Sequence, residues 1–293
     1  MFEGVEAFYR PATTREALRL LQRGRGRARF VGGCTDLVLQ PDPGIRFLID
    51  ITRTGLSYIR RQNGCWKIGA TTTMADIENS GQLQGLAGGL LPRAAATCGS
   101  IEIRNMATVG GNMANASPAA DLAAPLLALD AEVWLESCSS GRYVRRKMPL
   151  AGYLSEARGR HMRGSLLIEV SFPNPPRGAR GGWSFQKLGR TAVDISLVNA
   201  AAGLGLDVRG RVKWVRLALG AVAPVPLRMT AIENQMLGRA LDRALIAEAC
   251  QAVESQVRPI GDQRASAEYR RHISGVLTRR ALEECAEPVG CCL

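Results

Sequence analysis

Histidine is nearly absent from this sequence, and aromatic residues are few. The 293 residues include two histidines, His161 and His272, and Phe, Trp and Tyr together make up 5%. The eight cysteines form no C-x-x-C pair. Structural zinc sites use about four closely spaced Cys or His ligands, and histidine is the side chain most often used in acid–base catalysis. The sequence therefore argues against a metal site and against histidine-based catalysis. We expect His161 in a surface loop, His272 on a helix face, and any chemistry in a bound cofactor.

The sequence also lacks a long apolar run. The uncharged stretch 105–120 is rich in Asn, Gly, Ser and Thr, whereas a membrane-spanning helix needs about 20 mainly apolar residues. The N-terminus, Met-Phe-Glu-Gly-Val-Glu, has no basic start followed by an apolar segment. Disulfide frameworks belong to oxidising compartments. Scattered cysteines without a secretion signal therefore predict a cytoplasmic protein that does not contact a membrane.

Positive charge is in excess, but it is dispersed along the chain. Lys and Arg number 38 against 26 Asp and Glu, which gives a net charge of +12. The basic residues occur singly or in short groups such as 145–147, and the few aromatic rings offer little surface for base stacking. We therefore expect no nucleic-acid partner. The charge is expected to serve anionic ligands or an acidic partner subunit.

The chain length and the pattern of elements predict two domains of the α+β class. A chain of 293 residues is long for one domain, and the segment 172–182, with three prolines and three glycines, is the predicted boundary. Strands and helices interleave irregularly, which favours α+β over a doubly wound sheet. Residues 101–121 are expected to be turn-rich. Strands are predicted at 28–31, 46–51, 66–68, 131–136, 166–170, 194–206 and 212–219, and helices after Thr13, after Thr73, and at 91–100, 242–257 and 266–285.

Two glycine pairs stand where a backbone could approach an anion. Gly32-Gly33 follows a predicted strand, and Gly110-Gly111 lies in the uncharged stretch. Glycine lets successive N–H groups converge on a phosphate. Neither pair fits a P-loop or a Rossmann fingerprint, and each pair taken singly is more simply a tight turn. Nearby hydroxyls that could add hydrogen bonds belong to Thr35, Thr108 and Ser117.

Four sequence segments, two of which contain the glycine pairs, resemble motifs of one protein family and occur in the same order. Phe30-Val-Gly-Gly-Cys-Thr-Asp-Leu37 and the segment 103–122 resemble the first and second FAD loops of the molybdenum hydroxylase flavoprotein subunits, the xanthine dehydrogenase and carbon monoxide dehydrogenase group. Phe185-Gln-Lys-Leu-Gly-Arg-Thr-Ala-Val-Asp-Ile-Ser196 resembles a third motif of that family. The segment 262–271, Asp-Gln-Arg-Ala-Ser-Ala-Glu-Tyr-Arg-Arg, is similar to part of its C-terminal domain. The resemblance covers essentially the whole chain.

The resemblance implies a particular α+β fold. Residues 1–176 would form an FAD-binding domain of the vanillyl-alcohol-oxidase (PCMH) type, with two subdomains split near residue 55 and the cofactor between them. Residues 177–293 would form a smaller α+β domain like the carbon monoxide dehydrogenase flavoprotein C-terminal domain.

The resemblance also implies the cofactor-binding residues. The first loop would wrap the FAD pyrophosphate with backbone amides, and the second loop would meet the cofactor so closely that a Cβ at Gly111 would collide or forbid the needed φ. Lys187 stands one place later than the flavin-side lysine of some relatives, and an exposed strand lysine is the alternative. Cys34 is expected to be a small packed residue rather than a redox group. The implied cofactor-binding residues are Val31, Gly32, Gly33, Cys34, Thr35, Asp36, Leu37, Thr108, Gly110, Gly111, Asn112, Ser117, Asp121, Leu167 and Lys187.

The function that the resemblance implies is electron transfer through FAD. The chain would pair with a small [2Fe–2S] subunit and a large molybdopterin subunit in a dimer of heterotrimers, and would pass electrons from a cluster to NAD or another acceptor. The flavin carries the chemistry, so no catalytic side chain, metal ligand or [4Fe–4S] cluster is expected in this chain. Purines are the expected substrates, ahead of aldehydes, N-heterocycles and carbon monoxide. A non-catalytic scaffold subunit and a standalone FAD oxidase remain as alternatives.

Overall fold

A computed structural model describes residues 4–40, 42–139, 141–158, 164–176 and 180–287. The chain groups into two compact units, each assembled from three stretches. Unit 1 comprises Met1–Asp76, Ser100–Ala116 and Ala131–Pro173, and unit 2 comprises Ile77–Gly99, Ser117–Asp130 and Asn174–Leu293. The domain ranges 1–176 and 177–293, and the split near residue 55, stay predictions. His161 lies outside the described residues.

The first helix of unit 1 is set by its cap. Thr13 Oγ1 accepts a hydrogen bond from the Glu16 N–H (3.2 Å), and the Glu16 carboxylate accepts one from the Ala12 N–H (3.0 Å). The first bond satisfies one of the N–H groups that a helix start leaves open, and the second ties the residue before the cap to the first turn. Helix α1 then spans Thr14–Arg23 and buries Ala17 and Leu18, which confirms the predicted helix.

A three-stranded parallel sheet in unit 1 places the first glycine pair. Strand β2 (Ala28–Val31) pairs with β3 (Phe47–Asp50), and β3 also pairs with β1 (Ala7–Tyr9). The order β1-β3-β2 leaves β2 at an edge. Residues 32–33 follow directly on this edge strand, so the chain leaves the sheet at the glycine pair.

A five-stranded antiparallel sheet, in the order β4-β5-β8-β6-β7, forms the rest of the unit 1 framework. The strand β8 (Ser165–Pro173) lies at its centre and buries seven consecutive residues. The edge strand β7 (Arg142–Pro149) is exposed over seven of its eight residues. This strand was missed by the sequence analysis, because Arg-Tyr-Val-Arg-Arg-Lys has no alternation of apolar and polar residues. Helix α6 (Val109–Asn115) packs against β5 and β8.

Unit 2 is built around a four-stranded antiparallel sheet in the order β12-β11-β10-β9. All nine residues of β10 (Val198–Leu206) are buried. Helix α11 (Ala267–Ala286) packs on β9 and β10 and against helix α10 (Arg243–Gln256). The core of this unit joins β10 and β11 to the apolar faces of these two helices. Together, the two units confirm the predicted α+β class.

The region 101–121 differs from the prediction of turn-rich chain. It contains helix α5 (Ile101–Met106) and helix α6. Helix α5 buries none of its residues, so it produces no apolar periodicity that sequence analysis could detect. Ser100 Oγ accepts a hydrogen bond from the Ile103 N–H at its start. The second glycine pair therefore lies in a helix and not in an open loop.

Three further predicted helix starts are confirmed by their caps. Thr73 Oγ1 accepts from the Asp76 N–H (3.0 Å), Asp242 Oδ1 from the Leu245 N–H (2.8 Å), and Ser266 Oγ from the Tyr269 N–H (3.1 Å). None of the described helices is long and apolar enough to cross a membrane. The remaining elements are β4 Ile59–Gln62, β5 Cys65–Gly69, α2 Met74–Glu78, α3 Gly81–Gln84, α4 Leu90–Ala96, α7 Ala123–Ala128, β6 Glu132–Ser139, α8 Leu150–Arg158, β9 Arg180–Leu188, β11 Val212–Gly220, β12 Leu227–Arg228 and α9 Thr230–Met236.

Candidate cofactor site

The loop after β2 presents backbone N–H groups that are available to hydrogen-bond a ligand. Among the described residues, no N–H of the segment 32–37 donates a hydrogen bond to another protein group. Cys34 has a φ of +57°, and a change in the sign of φ along a short loop makes successive N–H groups converge. The carbonyls of Cys34 and Asp36 accept from the Val38 and Leu39 N–H groups, which closes a tight turn behind the loop. The first motif is therefore an array of donors suited to an anion.

The two glycine motifs touch each other within unit 1. A Cβ built on Gly33 would overlap the Met106 carbonyl oxygen, and a Cβ on Gly32 would lie 3.1 Å from Thr108 Oγ1. A side chain at residue 33 would force the backbones apart. Glycine at this position is thus explained by the close approach of the two motifs, which lie more than 70 residues apart in the sequence.

The backbone of the second motif is already occupied by hydrogen bonds inside the protein. The Gly110 N–H donates to the Ala70 carbonyl (2.8 Å), and the Gly111 N–H donates to Thr108 Oγ1 (3.1 Å), which caps α6. Gly110 is needed for close packing, because a Cβ there would lie 2.6 Å from the Ala70 carbonyl oxygen. Gly111 is exposed and does not have a positive φ. The expectation that Gly111 needs a special φ is therefore wrong; a Cβ there would meet only Thr108 Oγ1, at 3.0 Å.

Asn112 adds an unpaired acceptor to this region. Its Oδ1 atom is buried and has no hydrogen-bond partner among the described residues. Buried side-chain oxygens are normally satisfied, so this atom is available to a hydroxyl or amino group of a ligand. Uncommitted amides in the first motif suit a pyrophosphate, and the orphaned amide oxygen suits the hydroxyl-rich part of a dinucleotide. The residues present therefore fit FAD.

Desolvation raises the pKa of two groups in the first loop. It raises the pKa of the Cys34 thiol, and the Asp50 carboxylate raises it further. Cys34 packs beside the small cluster formed by Val31, Ile45 and Leu48. It therefore behaves as a small packed residue, since a thiol with a raised pKa is a poor nucleophile at neutral pH. Asp36 is exposed, but partial desolvation of its carboxyl raises its pKa, and a hydrogen bond with the Asn115 side chain offsets part of that rise.

Leu167 lies on the central strand of the five-stranded sheet. It pairs with Leu135 of β6, immediately after a bulge between Trp134 and Leu135, and is 6% exposed. The aliphatic side chain is part of the buried face of β8, and the implied contact with the adenine stays a prediction.

In unit 2, Lys187 and Asp121 form a buried ion pair. Lys187 Nζ lies 3.1 Å from Asp121 Oδ1 and donates to the Thr97 carbonyl oxygen (2.7 Å). The Lys187 side chain is 8% exposed, so the alternative of an exposed strand lysine is wrong. Ser196 Oγ donates to Asp121 Oδ1 (2.8 Å) and accepts from Asn199 Nδ2 (3.2 Å). Burial raises the pKa of Asp121, and Lys187 followed by Ser196 opposes that rise.

Two further residues named in the sequence analysis, Ser117 and His272, make only local contacts. Ser117 Oγ accepts from the Ala119 N–H (3.3 Å) in the turn before Asp121. His272 lies on an exposed face of α11, as predicted, 3.9 Å from Glu254. The described residues include no cluster of His, Cys, Asp and Glu side chains arranged to hold a metal ion.

Sequence reasoning missed several partners in these networks. Ser196 closes the third motif and could have been suspected from that position. The Thr97 and Met106 carbonyls carry no side-chain signal, and neither does the Ala70 carbonyl. Backbone groups contribute to a site only through the path of the chain, so a sequence pattern does not reveal them.

Comparison with known proteins identifies the family that has this arrangement. Residues 2–175 match the family described as FAD binding domain in molybdopterin dehydrogenase. The chain belongs to this family. Residues 183–285 match the CO dehydrogenase flavoprotein C-terminal domain. The chain is thus an FAD subunit of the molybdenum hydroxylase family of oxidoreductases, which confirms the resemblance found in the four motifs.

Relatives in the molybdopterin dehydrogenase family resemble the chain along its whole length. It is 32% identical over 275 residues to the 6-hydroxypseudooxynicotine dehydrogenase complex subunit alpha of Paenarthrobacter nicotinovorans, covering 91% of this chain and 89% of that protein. It is 29% identical over 292 residues to the xanthine dehydrogenase FAD-binding subunit of Escherichia coli O157:H7, covering 97% of each.

A solved structure agrees with the fold. A chain of the carbon monoxide dehydrogenase from Hydrogenophaga pseudoflava matches with a TM-score of 0.87 and 28% identity, over 98% of this chain and 99% of that one. The FAD-binding fold followed by a C-terminal domain is therefore confirmed.

Proposed function

We propose that this subunit binds FAD by its pyrophosphate through the backbone of residues 31–37. The observation that carries the proposal is the array of uncommitted N–H groups at 32–37, set beside the capped start of α6. Two phosphate charges are well matched by converging amides, and no metal ion is needed. Val31 and Leu37 anchor the two ends of the loop, because both pack in the cluster with Ile45 and Leu48.

The second motif contributes side chains and a close-fitting surface in this proposal. The Thr108 hydroxyl accepts from Gly111 and keeps its own proton to donate, and Asn112 Oδ1 accepts from the cofactor. Gly110 packs the helix onto residue 70, and Gly111 leaves its exposed face free of a side chain. Leu167 of unit 1 would pack near the adenine. Ser117, Asp121 and Lys187 of unit 2 are the remaining proposed cofactor-binding residues.

FAD, when bound, supplies redox chemistry that can join one-electron and two-electron partners. The chain's own residues bind and orient the cofactor, and Lys187 opposes the rise that burial causes in the pKa of Asp121. No acid or base from this chain is assigned to the reaction.

The partners and the substrate form the finer part of the proposal. The chain joins a small [2Fe–2S] subunit and a large molybdopterin subunit in a dimer of heterotrimers in the cytoplasm, and NAD is the electron acceptor. Xanthine and related purines are the proposed substrates of the complex. Support comes from the relative named as a xanthine dehydrogenase FAD-binding subunit, although a relative of equal identity, from Sulfolobus acidocaldarius, is named a glyceraldehyde dehydrogenase medium chain.

Titration of the purified, flavin-free chain with FAD tests cofactor binding. We expect uptake of one FAD per chain, with a structured flavin absorption band. ADP should displace FAD because it carries the same pyrophosphate, whereas FMN should compete poorly. A chain that takes up no FAD, or that binds FMN as tightly as FAD, overturns the proposal.

The assembled complex tests the partners and the substrate. Gel filtration of the native complex with analysis of Mo and Fe should show three kinds of subunit eluting together. Assays with hypoxanthine and xanthine should then show reduction of NAD. If neither purine is turned over while an aldehyde or another N-heterocycle is, the purine proposal is wrong; if another acceptor is reduced and NAD is not, the NAD proposal is wrong.

A further inference from the structure

Arg270 is a buried cation that the cofactor site as described above does not use. It lies on α11 within the segment 262–271 and is 5% exposed. Its Nη1 donates to the Leu197 carbonyl oxygen (2.8 Å), and its Nη2 donates to Asp262 Oδ1 (2.9 Å). A buried guanidinium is stable only when it is paired and hydrogen-bonded. These two contacts therefore fix the position of the two terminal nitrogens of Arg270.

Asp262 is itself fixed by the backbone. Its Oδ1 accepts from the Arg264 N–H (2.8 Å) and the Ala265 N–H (3.3 Å), and its Oδ2 accepts from Arg264 Nη1 (3.0 Å). These bonds, the first above all, lower the pKa of Asp262 to about 2. Arg270 is therefore paired with a carboxylate that stays ionised at any pH at which the protein works.

Leu197 directly follows the third motif. Its N–H donates to the Leu188 carbonyl (2.7 Å), which joins the two ends of the loop 189–196. Ser196 is the last residue of that loop, and its hydroxyl donates to Asp121. Arg270 thus holds the carbonyl of the residue that follows Ser196, and a shift of that carbonyl would turn the serine away from the carboxylate.

We propose that Arg270 is a positioning residue that, braced by Asp262, keeps the Ser196 hydroxyl on Asp121. The effect on FAD rests on the proposed function, in which Asp121 is a cofactor-binding residue. The positioning of Ser196 depends only on contacts within unit 2. Arg270 itself is assigned no contact with the cofactor in this proposal.

A double-mutant cycle between Arg270→Lys and Ser196→Ala tests the proposal. Lysine keeps the charge but cannot reach both the Leu197 carbonyl and Asp262 with a rigid fork. Each single variant should weaken FAD binding by about tenfold, the loss expected for one hydrogen bond to a charged group. The double variant should also lose about tenfold, because each change removes the same contact. A loss near a hundredfold means that the two residues act independently and overturns the proposal.

Arg228→Lys is the matched control. Arg228 is a largely buried arginine of unit 2, with a side chain 11% exposed, that donates to the Leu127 carbonyl and pairs with the Glu233 carboxylate. We expect this variant to lose stability but to keep the FAD affinity of the wild type, and to be additive with Ser196→Ala. Loss of FAD affinity in Arg228→Lys equal to that in Arg270→Lys would show a general effect of destabilisation and would overturn the assignment.

The same double-mutant cycle can be measured by urea unfolding of the flavin-free chain. This measurement tests the positioning of Ser196 separately from FAD binding. A wild-type chain that binds no FAD overturns the proposed function, and the unfolding cycle then still decides the positioning of Ser196. Non-additive unfolding free energies for Arg270→Lys and Ser196→Ala support it. Additive values overturn it, whatever FAD does.

Discussion

The ammonium group of Lys187 lies 3.1 Å from Asp121 Oδ1, and both side chains are at most 10% exposed. The lysine comes from strand β9 and the aspartate from the turn before α7. Each charge is costly to bury alone, and the pairing offsets part of that cost. The pair therefore links two stretches of unit 2 that are far apart in the sequence.

Replacing Lys187 by Met should destabilise the protein by about 3–5 kcal/mol at pH 7, because it leaves a buried carboxylate without its cation. Lys213→Met is the control. Lys213 is exposed on β11 of the same unit, and its replacement should change stability by less than about 0.5 kcal/mol. Urea unfolding of the two variants measures the difference, and equal effects would contradict the role given to the ion pair.

The cost of Lys187→Met should also depend on pH. Burial already raises the pKa of Asp121, and Lys187 opposes that rise, so the variant has a still higher folded-state pKa. Between the unfolded value, about 3.9, and this raised value, the folded chain binds more protons than the unfolded chain. Stability of the variant therefore falls as pH rises through that interval. Unfolding at pH 4.5 should show a smaller deficit than at pH 7, and a deficit that grows on acidification would contradict this.

Gly33→Ala should separate the two glycine motifs. Its Cβ would overlap the Met106 carbonyl, a backbone atom that cannot move as a side chain can. We expect a loss of about 2–3 kcal/mol in unfolding free energy and weaker FAD binding. Gly152→Ala, in helix α8 of the same unit, is the control. Its Cβ would lie an ordinary 3.6 Å from Met148 Cε, so it should be neutral or stabilising by up to about 1 kcal/mol.

Gly111→Ala tests the exposed face of the second motif. Gly111 lies in α6, so alanine suits its backbone, and the new Cβ would approach only Thr108 Oγ1. Stability should therefore change by less than about 1 kcal/mol. FAD affinity should fall at least about tenfold, a loss of about 1.4 kcal/mol, if this face meets the cofactor. Full FAD affinity in this variant, measured by fluorescence titration, would remove Gly111 from the site.

Asp262→Asn should lower the melting temperature at neutral pH. The folded-state pKa of Asp262 is about 2, below the unfolded value of about 3.9. Its ionised form therefore stabilises the fold above pH 4, and this contribution disappears as pH falls through 2. The difference in melting temperature between wild type and variant should be constant from pH 7 to pH 5 and should shrink below pH 4. A constant difference down to pH 3 would contradict the ionic role.

Local signals in the sequence were sufficient for the helix starts and for the first glycine motif. Thr13 and Thr73 each form a capping box with an acidic residue three positions later, and a box of this kind is formed by neighbouring residues alone. The strand predicted at 28–31 matches β2, so the sequence alone places the first glycine pair directly after the end of a strand. Such features depend little on the rest of the chain.

The second motif could not be read in the same way. Helix α5 buries no residue, and α6 depends on hydrogen bonds to residues 70 and 72, some 40 positions earlier in the chain. Its amides are therefore satisfied internally, which a glycine pair alone does not indicate. The contact of Gly33 with Met106 has the same origin, since it exists only after two distant loops are brought together.

The order of segments in unit 2 has a consequence for synthesis on the ribosome. Domains generally fold as units while the chain emerges from its N-terminus. Unit 1 has all three of its stretches once Pro173 has emerged. Helix α4 then still lacks its contacts with β9, and helix α7 still lacks its contacts with β10 and β11. A nascent chain stalled before these strands would expose the buried apolar residues of α4 and α7, and we expect such a chain to be bound by chaperones.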